Sequence, residues 1–413
     1  MQFRSGTVGR RVLGAAGVGA LALVTACGSG GGAAKTAAGA GASATGGSGS
    51  PVKVGLVYSQ TGLLASYGKE YKQGFDAGLA YATKETGAVA GHTVQVVERD
   101  DAGDPSKAVS AGKELIGTGV KILAGPTSSA VALQLAPLAA QNQTLLISGP
   151  AATDKITGVN KYTFRSGRQS YQDVATAASI VGDIKGKNVL VFAQDYEFGQ
   201  GNVKAVKAVL GGAGANVSDL LVPVFAKDFT PYAQQIKQKK PDLVFVAWAG
   251  DTTSSMWGTL DQQGVFDSTK VVTGLGDAAS FKAYGPASSK ISFLADYFPG
   301  AAGTAVEKQM TSLVTSKGGK VDLFTPDGFV AAQMIVHAIE KSGGSDVNAM
   351  AAALDGWQFD APKGSETVRA GDHAMLQPMF VAQLTGSGGS YTPKLLKTVP
   401  AEAVAPPKTS GSS

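Results

Sequence analysis

The stretch VKILAGPTSSAVALQLAPLAAQNQTLLISGPAAT, residues 120–153, decides the fold. Val120 to Ala124 reads as a buried strand, Ala130 to Gln141 as a helix, and Thr144 to Ser148 as a second strand. Each strand stops at Gly-Pro followed by small and hydroxyl residues: Gly125-Pro126-Thr127-Ser128-Ser129 and Ser148-Gly149-Pro150-Ala151-Ala152-Thr153. A hydroxyl at a helix start can simply cap it. Free backbone N–H groups and the helix dipole at the same place also suit an anion such as a carboxylate. The residues alone leave both readings open.

The same alternation continues on both sides. Upstream lie an apolar run at Val52 to Tyr58, helical spacing over Tyr67 to Thr83, a strand at Thr93 to Glu98 and a helix at Asp104 to Gly117. Asp104 is placed to cap that helix, with Pro105 at its first position. Downstream, strands are expected at Asn188 to Ala193, Asn216 to Val224, Asp242 to Trp248 and Lys270 to Thr273. Helices separate them at Gly199 to Leu210, Thr230 to Gln238 and Ser255 to Gln263. Repeated β-α units with β-branched strands predict an α/β protein with doubly wound parallel sheets. So many units need two sheets, and ligands of such sheets sit beyond the carboxyl ends of the strands.

The N-terminus carries export signals. Arg4, Arg10 and Arg11 precede a Gly-rich apolar run from Val12 to Val24, too short to span a bilayer comfortably. Residues 1–26 therefore read as a signal peptide. Leu23-Val24-Thr25-Ala26-Cys27 resembles the bacterial lipobox, which makes Cys27 the expected lipidation site and the anchor to the outer face of the cell membrane. The general secretory route fits the flanking residues better than twin-arginine export. Cys27 is the only cysteine, so an internal disulfide is excluded. Residues 27–50 are nearly all Gly, Ala, Ser and Thr after the cysteine and read as a flexible tether of roughly 25–30 Å r.m.s. span. Residues 400–413 are expected to form a disordered tail. Removing the three arginines of residues 1–26 from the formal charge of +5 leaves +2. With no basic run or basic-aromatic interleaving, nucleic acid is not an expected partner.

Beyond the Gly-Pro turns, several segments occur in a familiar order: Val54 to Gly68 with Ser59-Gln60-Thr61-Gly62, Asp100 to Pro105, Phe164-Arg165, Asp195-Tyr196-Glu197-Phe198-Gly199 and Arg369-Ala370-Gly371-Asp372-His373. Together they resemble the leucine/isoleucine/valine-binding proteins of ABC importers over nearly all of Pro51 to Val399. That resemblance implies a type I periplasmic-binding fold: two doubly wound lobes, a three-strand hinge and a ligand in the cleft. Lobe 1 is expected from 51–166 and 297–370, and lobe 2 from 167–296 and 371–399. It also implies that the Ser128/Ser129 turn and the Ala151 to Thr153 turn bind a carboxylate and part of an ammonium group. Tyr67 lines the pocket, Phe198 or Tyr196 faces it from the other lobe, and Trp248 forms a wall. Asp277, or Gly276 in the alternative register, falls where the family carries the acid that pairs with the ammonium. Gly103 stands where some relatives have a cysteine, without a partner near Thr127, so their disulfide is missing.

The expected function is delivery of a branched-chain or other apolar amino acid to ABC permease subunits by a monomeric, lipid-anchored binding protein without a cofactor. An amide, urea or aromatic acid remains the alternative ligand, and an exported sensor module the alternative role. Enzymatic readings have less behind them. Gly274-Leu275-Gly276-Asp277-Ala278-Ala279 is only a loose dinucleotide fingerprint, without the helix, strand and acid that should follow. The chain has three histidines, His92, His337 and His373, and no Gly-x-Ser-x-Gly elbow. No spacing suggests a catalytic metal.

Overall fold

The computed structural model describes residues Gly49 to Thr409. The expected signal peptide, Cys27 and most of the tether lie outside these residues. The first sheet uses β1 (Gly49–Tyr58), β2 (Ala88–Val89), β3 (His92–Asp100), β4 (Ile122–Ala124), β5 (Leu145–Ser148) and β6 (Thr163–Arg165). Helices α1 (Ala65–Ala82), α2 (Pro105–Gly117) and α3 (Ser129–Gln141) connect them. The strand order is β2-β3-β1-β4-β5-β6, parallel except for the short β2. Its direction of winding reverses between β1 and β4, where Val54 pairs with Ile122. Asp104 caps α2 as its position suggests, its Oδ1 accepting from Ser106 N at 2.7 Å.

After α4 (Ser170–Val181) the pattern repeats through β7 (Asn188–Gln194), α5 (Glu197–Val206), β8 (Asn216–Val222), α6 (Thr230–Lys239), β9 (Leu243–Ala247), α7 (Thr253–Gln262), β10 (Lys270–Gly274), α8 (Phe281–Tyr284) and β11 (Ile291–Ala295). The chain then forms α9 (Ala305–Ser316), α10 (Thr325–Ser342), α11 (Val347–Leu354) and a small sheet of β12 (Gln358–Ala361), β13 (Gly364–Val368) and β14 (Met375–Leu376). It returns to the second sheet with β15 (Met379–Ser387) and β16 (Ser390–Val399). That sheet has the order β16-β15-β11-β10-β9-β7-β8, parallel from β11 to β8 and antiparallel at β15 and β16. Its winding reverses between β7 and β9. This is the doubly wound, two-lobed type I periplasmic-binding fold.

Three passages link the sheets, after Arg165, after Ala295 and between Leu376 and Met379. They form the hinge. Each sheet is covered on both faces: β1 and β4 pack on α1, α10 and α11 on one side and on α2 and α3 on the other. The second sheet packs on α4 and α5 on one face and on α6, α7 and α8 on the other.

Two terminal expectations are corrected. Gly49 and Ser50, assigned to the tether, already belong to β1. The tail is ordered as far as Thr409. Val404 is fully buried against Met379, Val381 and Val399, and Arg369 Nη1 donates to Pro406 O at 2.6 Å. Composition alone marked this segment as disordered, but one buried valine and satisfied carbonyls hold it down. No helix among the described residues is long and apolar enough to cross a membrane.

Candidate functional site

The carboxyl ends of both parallel sheets face one cavity. Both winding reversals open into it, where no crossing connection blocks the strand ends. From the first sheet come Leu64 and Tyr67 after β1, Thr127 and Ser129 after β4, and Pro150 and Ala152 after β5. From the second come Tyr196 and Phe198 after β7, Trp248 and Ala249 after β9, and Thr273 to Gly276 at the end of β10. Leu323 and Phe324, just before α10, close one side.

The turn after β4 is shaped by Gly125, which has φ of 113° and whose Cβ, were there one, would lie 2.9 Å from Val57 O. That close approach brings Thr127 to Ser59 N, whose N–H donates to Oγ1 at 3.5 Å. Ser128 occupies the N-cap of α3 without donating or accepting a side-chain cap bond. The first N–H groups of α3 are therefore left open toward the cavity end that Ser129 lines. Of the expected pair, Ser129 lies in the lining and Ser128 is buried behind it.

The second turn divides differently. Ala151 is buried in the core under α3, and its N–H donates to Pro126 O at 3.2 Å. Thr153 accepts from Lys155 N and donates to Glu197 Oε1, both at 3.3 Å. Neither residue reaches the cavity wall; Pro150 and Ala152 do. The buried Arg165 staples this turn by donating to Thr153 O at 2.6 Å and Arg168 O at 2.8 Å.

Tyr67, Tyr196, Phe198 and Trp248 all line the cavity. Trp248 stacks on Phe192 with centroids 5.2 Å apart, and its Nε1 donates to Thr252 Oγ1 at 3.0 Å. Tyr67 meets Phe324 edge-on at 4.8 Å. Burial, then the nearby Asp277, holds the Tyr67 phenol well above its ordinary pKa, so it is neutral. Asp277 itself lies outside the lining. Its Oδ1 accepts from Ser280 N at 3.1 Å and caps a short turn, while Gly276 occupies the wall.

Two groups of polar residues in the lining were not legible as site residues. Thr273 and Asn202 sit at the end of β10 and on α5. Arg168, Asp173 and Asp296 form the floor where two hinge passages leave the sheets. Arg168 Nε lies 3.4 Å from Asp173 Oδ2, and Lys363 Nζ donates to Asp296 Oδ1 at 2.6 Å. Asp296, a lone charge in the apolar stretch Phe293 to Phe298, carried a sequence signal, whereas Arg168 and Asp173 stand among polar residues that mark nothing. Among the described residues, no cluster of three or more His, Cys, Asp or Glu side chains is placed to hold a metal ion.

Residues 51–390 match the family described as periplasmic binding protein. The chain belongs to that family. A Leu/Ile/Val-binding protein of Rhizobium johnstonii is similar to this periplasmic binding protein, with 27% identity over 333 residues, or 76% of this chain and 87% of the relative. A branched-chain amino acid ABC-type transporter protein of Rhodopseudomonas palustris has been solved and is 30% identical, with a TM-score of 0.71 over 85% of this chain and 97% of that one. A solute-binding protein of an ABC transporter from another R. palustris strain, solved with p-hydroxybenzoic acid, is 25% identical with a TM-score of 0.78 and the same coverage. Membership places this periplasmic binding protein among extracytoplasmic solute-binding proteins.

Proposed function

We propose that this protein is the lipid-anchored, monomeric solute-binding component of an ABC importer and that it takes a small carboxylate with an apolar body. The observation that carries the reading is the aromatic-walled cavity with Thr127, Ser129 and the open start of α3 at one end. Apolar walls with a few convergent polar groups are what a small-ligand site requires. A helix start and hydroxyls favour an anionic group there.

The relatives bind two kinds of carboxylate, branched-chain amino acids and an aromatic acid. The aromatic acid has the better support. Both acids in the lining already face cations, Asp173 with Arg168 and Asp296 with Lys363, and Asp277 caps its own turn. An ammonium group would have to share a carboxylate that already faces a cation. An apolar amino acid is the second reading, favoured by the position of Asp173 in the floor. Titration calorimetry with benzoate, 4-hydroxybenzoate, L-leucine, L-isoleucine and L-valine separates the two. The aromatic acids are expected to bind more tightly; tighter leucine binding would reverse the order, and no heat from any of them would remove the carboxylate class.

The membrane attachment rests on Cys27 and the Gly/Ser segment after it. Replacing Cys27 by Ala is expected to move the protein from the membrane fraction to the soluble fraction. A variant that stays with the membrane would refute the anchor.

A further inference from the structure

Arg168 and Asp173 meet in the floor of the cavity, with side chains 10% and 8% exposed. We propose that Arg168 selects for a carboxylate: the incoming anion takes the guanidinium from Asp173, and Asp173 accepts one proton from solvent. This rests on the reading of the cavity as the ligand site.

The geometry of Arg168 suits an exchange of partners. Its Nη1 donates to Pro150 O at 2.7 Å, which fixes the guanidinium beside the turn after β5. Its plane lies against Phe324, with Cζ 5.2 Å from the ring centroid. Its Nε is buried and has no hydrogen-bond partner, because Asp173 Oδ2 at 3.4 Å is near enough to attract but poorly placed to accept. A buried charged donor without an acceptor is costly. A ligand carboxylate can meet the planar fork with two parallel bonds, which neither Asp173 nor a neutral amide achieves here.

The displaced carboxylate has an outlet. Burial first, with Asp296 and Asp154 adding to it, pushes the Asp173 carboxyl up to about 6 even with Arg168 beside it and Lys363 nearby. Once Arg168 turns to a ligand anion, the stabilising cation is shared and a new negative charge stands close, so the carboxyl rises further. Between about 6 and that raised value, the complex holds up to one more proton than its free parts. Affinity falls as pH climbs through this window, by at most about tenfold per pH unit.

The test uses the exported chain with 4-hydroxybenzoate, benzoate, L-leucine and the neutral 4-hydroxybenzamide as probes. Calorimetry in phosphate and in Tris near neutral pH reads proton uptake from the difference in apparent enthalpy. Expected are up to one proton taken up with the aromatic acids and at least tenfold weaker binding of the amide. Arg168→Gln should lose tenfold or more for the acid and little for the amide. Asp173→Asn should bind the acid at least as tightly as the parent, with no proton uptake and a flat pH profile; it also keeps the idea testable if Arg168→Gln does not fold. Wild-type acid affinity in Arg168→Gln, absence of proton uptake in the parent, or weakened binding in Asp173→Asn would each overturn the proposal. Ser129→Ala separates the two levels: loss there with none in Arg168→Gln leaves the cavity reading standing and removes Arg168. No loss in either removes both, as does a parent protein that binds none of the three acids.

Discussion

Glu70 sits on α1 with a side chain buried beside the cavity, and its Oε2 accepts from Phe324 N at 3.1 Å. Burial, then Asp322, pushes its carboxyl up to about 9, against the opposing pull of the Phe324 N–H. An unfolded Glu titrates near about 4.3. Between those values the folded protein holds the extra proton, so this group makes stability fall as pH rises through the window and level off above it. Glu70→Gln keeps an acceptor for Phe324 and cannot ionise. Its melting temperature should match the parent near pH 5 and exceed it near pH 9, read by calorimetry at both; parallel losses would acquit Glu70. At Lys363 the opposite logic applies. Lys363→Met strands Asp296 as an unpaired buried charge, and urea unfolding should show a loss of about 3–5 kcal/mol. These residues also show where single-residue reading stops. Ser129, Tyr67 and Trp248 follow strands and face the cavity, but Thr153 and Asp277 follow strands too and spend their oxygens on nearby N–H groups. A polar side chain that caps a turn and one that faces a ligand have the same sequence signature.

Helices α1 and α10 approach backbone to backbone. A Cβ on Gly328 would strike Tyr71 O, and one on Gly74 would strike Thr325 O. The helices touch through backbone because these positions carry no side chain. Gly328→Ala should destabilise by about 1–3 kcal/mol through overpacking, outweighing the roughly 0.5–1 kcal/mol that Ala gains in helix propensity. Gly258→Ala on α7, with nothing within 4 Å of the added carbon, is the control and should be neutral or slightly stabilising by urea unfolding. Equal losses at both sites would show that the close backbone contact at Gly328 does not set the cost. The same packing explains which elements were legible. Strands β4, β5 and β7 with their crossovers stand out as apolar runs between turn residues. Helix α10 is buried at every position from Thr325 to Val336, because it lies between the cores of both sheets. It has no polar face to give a 3.6-residue rhythm over that span, so a helix around His337 and its assignment to 297–370 were legible but its packing between the two cores was not. Strand β16 fails for the opposite reason: nearly every residue is exposed at a sheet edge, so no alternation marks it.

At the scale of the molecule, polar contacts join residues of the two proposed lobes. Lys155 Nζ pairs with Glu197 Oε2 at 2.8 Å, and Asp322 accepts from Ala278 N at 3.1 Å. Lys155 and Asp322 belong to the proposed lobe 1 (51–166 and 297–370), and Glu197 and Ala278 to the proposed lobe 2 (167–296 and 371–399). The two large sheets support the division, since all strands of the first lie before residue 166 and those of the second lie in 188–295 and 379–399, but β14 pairs with β13 and Met375 packs in the first core, so the third crossing falls after Leu376 rather than at 370. With walls from both sheets, a ligand gains its full set of contacts only when the lobes are together, and it shifts the equilibrium by that difference in affinity. The Lys155–Glu197 pair adds a smaller bias. Glu197 is 13% and Lys155 45% exposed, so solvent screens the pair and its worth is at most about 1 kcal/mol. Glu197→Gln should therefore weaken 4-hydroxybenzoate binding by no more than about fivefold. Small-angle scattering should show a larger radius of gyration for the ligand-free parent than for its saturated complex. The variant without ligand should be at least as large as the parent, and with saturating ligand it should contract to the same radius as the parent complex. A radius that does not change on saturation would place the hinge elsewhere or show that these lobes do not move, and a variant that fails to contract would make Glu197 a required part of the closed state.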